Sequence, residues 1–280
     1  MKELQNGVIV ACAPNGARRS KADHPALPIT PAELAAAARD ICDAGASLLH
    51  LHVRDAQGDH SLDAQRYREA ANAIRNETGD DLIIQITTES AGVYAAVEQM
   101  NVVRELQPEA ASCALRELCP DDSAVDRYAH FLRECHACGV WVQHILYDDA
   151  DAQRFLQLWR NGVVPERQPF VLLVIGRYGT SATSNPRDLT ARAAPFLDED
   201  ALLWAACAFG AREAETVIAA AALGGHVRVG FENNIVQPDG TPARSNAAQI
   251  ARVVKGLAAI GRAPLTAADI RAAFPVCRIR

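Results

Sequence analysis

Short apolar runs alternate with longer, alanine-rich amphipathic segments along the whole 280-residue chain. Val8–Ala13, Ala46–Val53, Leu82–Thr88, Val140–Tyr147, Phe170–Ile175, Leu202–Ala208 and Val227–Phe231 have strand length and apolar content. Ala110–Leu115 joins them as a weaker strand, because Ala and Cys favour strands less. Between the runs stand helix signals. Thr30-Pro31, with Glu33 in the first turn, opens a helix reaching about Asp43. Asp63 caps a helix that ends at Thr78 before Gly79. The pattern predicts further helices over Tyr94–Leu106, Asp122–Cys138, Asp149–Arg160, Pro186–Phe196, Ala211–Leu223 and Asn246–Ile260, with a short one near Thr266–Ala273. Eight strand–helix units in one chain predict an α/β fold, a (β/α)8 TIM barrel. A doubly wound open sheet is the alternative, but no GxGxxG follows the first strand. No linker-like stretch interrupts the alternation, so a single domain over residues 1–280 is expected.

Composition narrows the function classes. A net charge of -6 carries no basic footprint for nucleic acid. No window approaches the ~18 uncharged apolar residues of a membrane span. The start MKELQNGVIVACAPNG is broken by Pro14 and Asn15, unlike a signal peptide. Eight cysteines, mostly inside apolar runs, read as free thiols in a reducing cytoplasm. Cys135-His136-Ala137-Cys138 falls at a helix C-terminus. A redox CxxC sits at an N-terminus, where the helix dipole lowers the thiol pKa, so these two read as ordinary thiols.

In such a barrel, polar residues at the C-terminal strand ends form the site. His50 and His52 end the second run, and alternate strand residues share a face. Two neutral imidazoles there suit a divalent metal such as Zn2+; they equally suit hydrogen bonding in the barrel mouth. Glu232 ends the last run, beside the first strand once the ring closes. It is placed to complete a set of two imidazoles and a carboxylate, with Arg228 on the same face by period two. Gln85 and Thr87 share a face at the end of the third run. Gly179 and Thr180 lie in a Gly- and hydroxyl-containing loop after the sixth, suited to an anion or to plain solvent exposure. Asn15, Arg18 and Arg19 follow the first run; two arginines there suit an anionic ligand, with plain solvated charge as the default reading.

Five blocks of the chain resemble the β-keto acid cleavage enzymes, a family whose type member acts on 3-keto-5-aminohexanoate. They are APNGA from Ala13, PITPAE from Pro28, HLHVRD from His50, IQITT from Ile84 and GGHVRVGFENN from Gly224. The resemblance implies a zinc-dependent TIM barrel that converts a β-keto acid and acetyl-CoA into acetoacetate and an acyl-CoA. It also implies a homo-oligomer, a tetramer by analogy. It puts zinc on His50, His52 and Glu232, the active-site arginine on Arg228 and the strand-three hydroxyl on Thr87. Asn15, Arg18, Gln85, Gly179, Thr180 and Asn233 are then expected to contact substrate. The type member carries acids where Arg18 and Ile145 stand here, and an Asp where Asn233 follows Glu232. A neutral or anionic substrate is therefore expected rather than an aminated one. An amide at position 233 cannot take up a proton as a carboxylate does. Arg116 and Glu117 stand in a segment that replaces the family's fourth strand end.

Two rival readings remain. An amidohydrolase-like metal hydrolase also uses HxH in a barrel, but on strand one, with metal histidines on strands five and six. Here HxH is on strand two, and Phe170–Ile175 has no His. A non-catalytic binding protein on the same fold is the other.

Overall fold

The computed structural model describes residues 7–178, 184–199 and 201–273. Eight strands form a closed parallel barrel: β1 (Val10–Cys12), β2 (Leu48–Leu51), β3 (Ile83–Thr87), β4 (Ala110–Ala114), β5 (Trp141–Leu146), β6 (Phe170–Ile175), β7 (Leu203–Ala208) and β8 (His226–Val229). Spatial order follows chain order, as right-handed strand–helix–strand crossovers produce. The ring closes where β8 pairs with β1, Val227 opposite Val10 and Val229 opposite Cys12. Outside run α1 (Pro31–Asp43), α2 (Ala64–Thr78), α3 (Ala96–Leu106), α4 (Val125–Ala137), α5 (Asp149–Arg160), α6 (Pro186–Leu197), α7 (Glu213–Ala222) and α8 (Asn246–Ala259). No helix among the described residues is long and apolar enough to cross a membrane.

Helix starts follow their sequence signals. Thr30 Oγ1 accepts from the Glu33 amide, and the Glu33 carboxylate accepts from the Thr30 amide. Such a cap contributes about 0.5–2 kcal/mol. The Asp63 carboxylate likewise accepts from the Arg66 amide.

Strand alternation sorts side chains into two cores. One lies between strands and helices and includes Val10, Leu49, Ile84, Tyr128 and Phe155. The other fills the barrel with Ile9, Leu48, Ile83, Phe170 and Leu172. A last helix, α9 (Ala267–Ala273), carries Ala267 and Ile270 onto this inner core, with Leu265 just before it. The same end holds Glu109, fully buried and ion-paired to Arg75 and Arg271.

The structure differs from the sequence expectation at three points that shape the mouth. The second run does not stay one strand: after Leu51 the chain leaves the ring, and Val53–Arg54 pairs antiparallel with His60–Ser61. Asp55 and a left-handed Gly58 make that hairpin's turn. The fourth run ends at Ala114, and Leu115–Leu118 forms a helical turn. The eighth strand ends at Val229 rather than Phe231, because Gly230 has φ of 141° and lies against Ala13. A Cβ on Gly230 would collide with the Ala13 carbonyl, so only glycine fits this bend.

Candidate active site

The bend at Gly230 determines where Glu232 goes. The Glu232 amide donates to the Ala13 carbonyl, and the amides of Asn233 and Asn234 both donate to the Gly230 carbonyl. Glu232 therefore sits in a tight turn and not on a strand face. The expected period-two alignment with Arg228 is replaced by this turn, which still sets Arg228 Nη2 2.9 Å from Glu232 Oε1. Gly16, with φ of 63°, packs against the Glu232 side chain and leaves no room for a Cβ. Behind the turn, buried Glu213 accepts from the Gly230 amide and from Asn234 Nδ2. Burial pushes the Glu213 carboxyl up to about 8.

His50 stands on β2, and His52 lies one residue past its end. Their Nε2 atoms are 3.1 Å apart, and Glu232 Oε2 lies 3.1 Å from that of His52 and 3.6 Å from that of His50. All three residues are buried. Gln85, register partner of His50, places Oε1 2.9 Å from His50 Nδ1. An amide oxygen only accepts, so Nδ1 carries the proton and the His50 Nε2 lone pair faces His52 and Glu232. Burial lowers His50 to about 3, so its imidazole is neutral. Burial alone would raise the Glu232 carboxyl; the Arg228 guanidinium overcomes it and holds the group well below its ordinary value. Glu232 Oε2 has no hydrogen-bond donor among the described residues. Lone pairs and a carboxylate oxygen crowded together repel one another unless a cation lies between them. Their ligand atoms fall within 4.8 Å of one another, so the donor set fits a divalent metal.

These groups line a cavity of about 220 Å3. Thr87 Oγ1 accepts from the Glu89 amide and keeps its own proton to donate. Arg228 is buried, and its Nε and Nη1 have no hydrogen-bond partner among the described residues. Asn233 Oδ1 lies 3.4 Å from Arg228 Nη2. Asn15 Nδ2 donates to the His52 carbonyl, which fixes the chain just past β2. Gln85 also donates to Gln143, so its amide is occupied with holding His50. Arg18 stands at the rim, 54% exposed, 3.7 Å from Glu89 and stacked on Tyr178. Both Arg116 and Glu117 reach the cavity. Arg116 is tied to Asp148 and Asp151 over the Tyr147 ring, while Glu117 accepts from the Ser90 amide and hydroxyl. Gly179 and Thr180 lie outside the described residues. Cys135 and Cys138 belong to α4 and its C-terminal cap.

Sequence reasoning gave no role to Glu89, Ser112, Tyr147 or Tyr178, which line the same cavity. Ser112 is the register partner of Thr87, and that pairing was the signal available for it.

Comparison with known proteins agrees in kind with this geometry. The family model for the beta-keto acid cleavage enzymes matches residues 7–275. Two curated relatives carry the name 3-keto-5-aminohexanoate cleavage enzyme. The one from Fusobacterium nucleatum is 29% identical over 96% of this chain and 97% of its own. The one from Acetoanaerobium sticklandii is 31% identical over 94% and 96%. The 3,5-dioxohexanoate:acetyl-CoA acetone transferase of Paraburkholderia graminis is 26% identical over 89% and 90%. Among solved structures, ObcA in ternary complex with a C4-CoA adduct and oxalate superimposes with a TM-score of 0.69. It covers 90% of this chain and 68% of the other at 18% identity, a likeness of fold alone.

Proposed function

The chain belongs to the β-keto acid cleavage enzyme family, and from that premise we propose that it converts a β-keto acid and acetyl-CoA into acetoacetate and an acyl-CoA, with zinc at His50, His52 and Glu232. The observation that carries this reading is the convergence of two imidazole Nε2 atoms and an undonated carboxylate oxygen at the edge of one cavity, beside an arginine with free N–H groups.

Bound zinc supplies Lewis acidity toward the 3-keto oxygen. The chain's own residues do the rest. Arg228 offers Nε and Nη1 to a carboxylate or a developing enolate, in a buried setting where such donors count most. Thr87 donates its hydroxyl proton to a substrate oxygen and fixes orientation. Gln85 keeps His50 in the tautomer that turns Nε2 toward the metal. Asn233 accepts from Arg228 and leaves the proton transfer at substrate C2 to another group.

On this reading the substrate lacks an amino group. Ile145, Val174 and Phe209 give the cavity an apolar wall, and Arg18 puts a cation at the rim. An ammonium tail would meet like charge there. The hydrolase and binding-protein rivals lose ground to the family membership, and the homo-oligomer stays part of the proposal, tested by light scattering. The deciding experiment measures acetoacetate release from a panel of β-keto acids with acetyl-CoA. Release that depends on acetyl-CoA is expected; hydrolysis without it, or no turnover of any substrate, overturns the reading. Within the panel, unaminated acids should show higher kcat/KM than 3-keto-5-aminohexanoate, and Arg18→Glu should narrow the ratio.

A further inference from the structure

Three carboxylates line the cavity: Glu89, Glu117 and Glu232. Two are already engaged. Glu232 faces the histidines and Arg228. Glu117 accepts two hydrogen bonds from Ser90. The Glu89 carboxylate accepts no hydrogen bond among the described residues, and its ion-pair partner Arg18 stands 3.7 Å away. Its side chain is 19% exposed and lines the cavity beside Thr87 and Glu232.

The backbone of Glu89 is pinned on both sides. Its amide donates to Thr87 Oγ1 at 3.0 Å, and its carbonyl accepts from His60 Nε2 at 2.8 Å. His60 comes from the hairpin that follows the metal histidines, and its ring lies 5.3 Å from that of His52. A fixed backbone carrying an uncommitted carboxylate is what a proton-transfer residue requires. The neighbouring amide Asn233 does not meet that need.

We propose that Glu89 is the catalytic acid–base residue, taking the C2 proton of the β-keto acid and returning it to the product; this rests on the cleavage reading above. The balance closes. Glu89 takes a proton from C2, and the C–H electron pair becomes an enolate with its charge on the 3-keto oxygen. The C2 carbon then bonds to the thioester carbonyl of acetyl-CoA, and the C–S pair leaves as CoA thiolate. The thiolate adds to the original 3-keto carbonyl. The bond from that carbon to C2 breaks, and its electron pair forms the enolate of acetoacetate. Protonated Glu89 returns its proton to C2. No oxidant, reductant or net proton is needed.

The electrostatics agree. Burial raises the Glu89 carboxyl, Glu232 and Glu117 push it the same way, and the Arg18 guanidinium pulls it back. A carboxylate poised above its ordinary value is a stronger base.

The test uses full-length, metal-loaded enzyme and Glu89→Gln. Two rates are read: turnover at saturating substrates, and exchange of the C2 hydrogens of acetoacetate with D2O by proton NMR in the absence of acetyl-CoA. The expected result is a loss of roughly 10²–10⁴-fold in both, with KM, metal content and circular dichroism unchanged. If the variant loses metal, Glu89→Asp decides instead: with metal retained, withdrawing the carboxylate by one methylene should lower kcat by about tenfold or more. A variant that keeps wild-type turnover and exchange overturns the proposal. So does one that raises only KM for an aminated substrate, which would make Glu89 an ammonium receptor. A wild type that neither cleaves nor exchanges any acid of the panel overturns the cleavage reading itself, a different result from an active wild type with an unaffected variant.

Discussion

At the N-terminal end of the barrel, Glu109 is fully buried between Arg75 at 3.0 Å and Arg271 at 2.5 Å, and Arg271 also donates to the Asp80 and Leu82 carbonyls. At the C-terminal end, Glu232 and Arg228 are also buried, yet Glu232 Oε2, Arg228 Nε and Nη1, Asn233 Nδ2 and Ser112 Oγ have no hydrogen-bond partner among the described residues. Both ends remove charge from water, and both carry the desolvation cost. At the lower end the Glu109 carboxylate is met by opposite charge from α2 and α9, which ties the last helix to the ring, and the atoms of this cluster without a hydrogen bond among the described residues are Nε and Nη1 of Arg75, on the cation and not on the carboxylate. At the upper end polar groups are held unsatisfied by the surrounding fold, the pattern of a site prepared for a ligand. On the proposed reading, charge at the first end serves stability, and at the second it serves chemistry.

Substitutions on the two sides should therefore separate cleanly. The largest effect is expected at His52→Ala. Metal content should fall from one ion per chain to near none, with cleavage lowered by at least about 10²–10³-fold and the melting curve of the metal-free protein little changed. Full zinc occupancy by elemental analysis would remove His52 from the ligand set. Glu109→Gln should do the reverse. Breaking a buried pair from one side costs roughly 3–5 kcal/mol, read in urea unfolding, while kcat per folded molecule stays at the wild-type level. An equal loss of activity in folded protein would erase the distinction between the ends.

Gln85→Leu tests the layer beneath the site. Without its carbonyl, His50 is free to rotate or change tautomer, and metal affinity should weaken by about 10–100-fold. Competition with a chelator measures this directly. Unaltered affinity would show that packing alone orients the ring. The smallest effect concerns His144, on the outer face of β5 and away from both ends. Burial lowers it to about 3, and the unfolded chain titrates near 6.5. The unfolded state thus binds the proton first, so the stability held above pH 6.5 is lost as pH falls toward 3. His144→Gln should make stability less steep over that range in denaturation at stepped pH. An unchanged slope would assign the acid sensitivity elsewhere.

The barrel was legible because its signals are periodic. Phe170–Ile175 and Asp149–Arg160 coincide with the sequence reading, and Thr30 and Asp63 mark helix starts by local hydrogen bonding that chain neighbours supply. That His50, His52 and Glu232 lie together was also legible, from unusual polar residues at the ends of apolar runs, and Arg228 from its spacing to Glu232. What escaped lies where periodicity stops. Glu89 and Tyr147 sit just past β3 and β5, where side-chain direction depends on turns rather than on pleat. The reach of Glu117 to Ser90 and of Arg18 to Glu89 spans separate loops that only ring closure brings together. The turn carrying Glu232 was misplaced as strand because the close approach of Gly230 to Ala13 is a contact between opposite ends of the chain.

That contact has a further consequence. The two histidines stand at the end of the second strand of the ring and Glu232 follows the last, so a cation held among them would act as a clasp across the seam where the barrel's beginning meets its end. Its affinity belongs only to a chain whose seam is shut. Zinc uptake during refolding would then time the moment of closure, and a chain truncated before Gly230 would keep both imidazoles yet bind metal no better than a loose peptide.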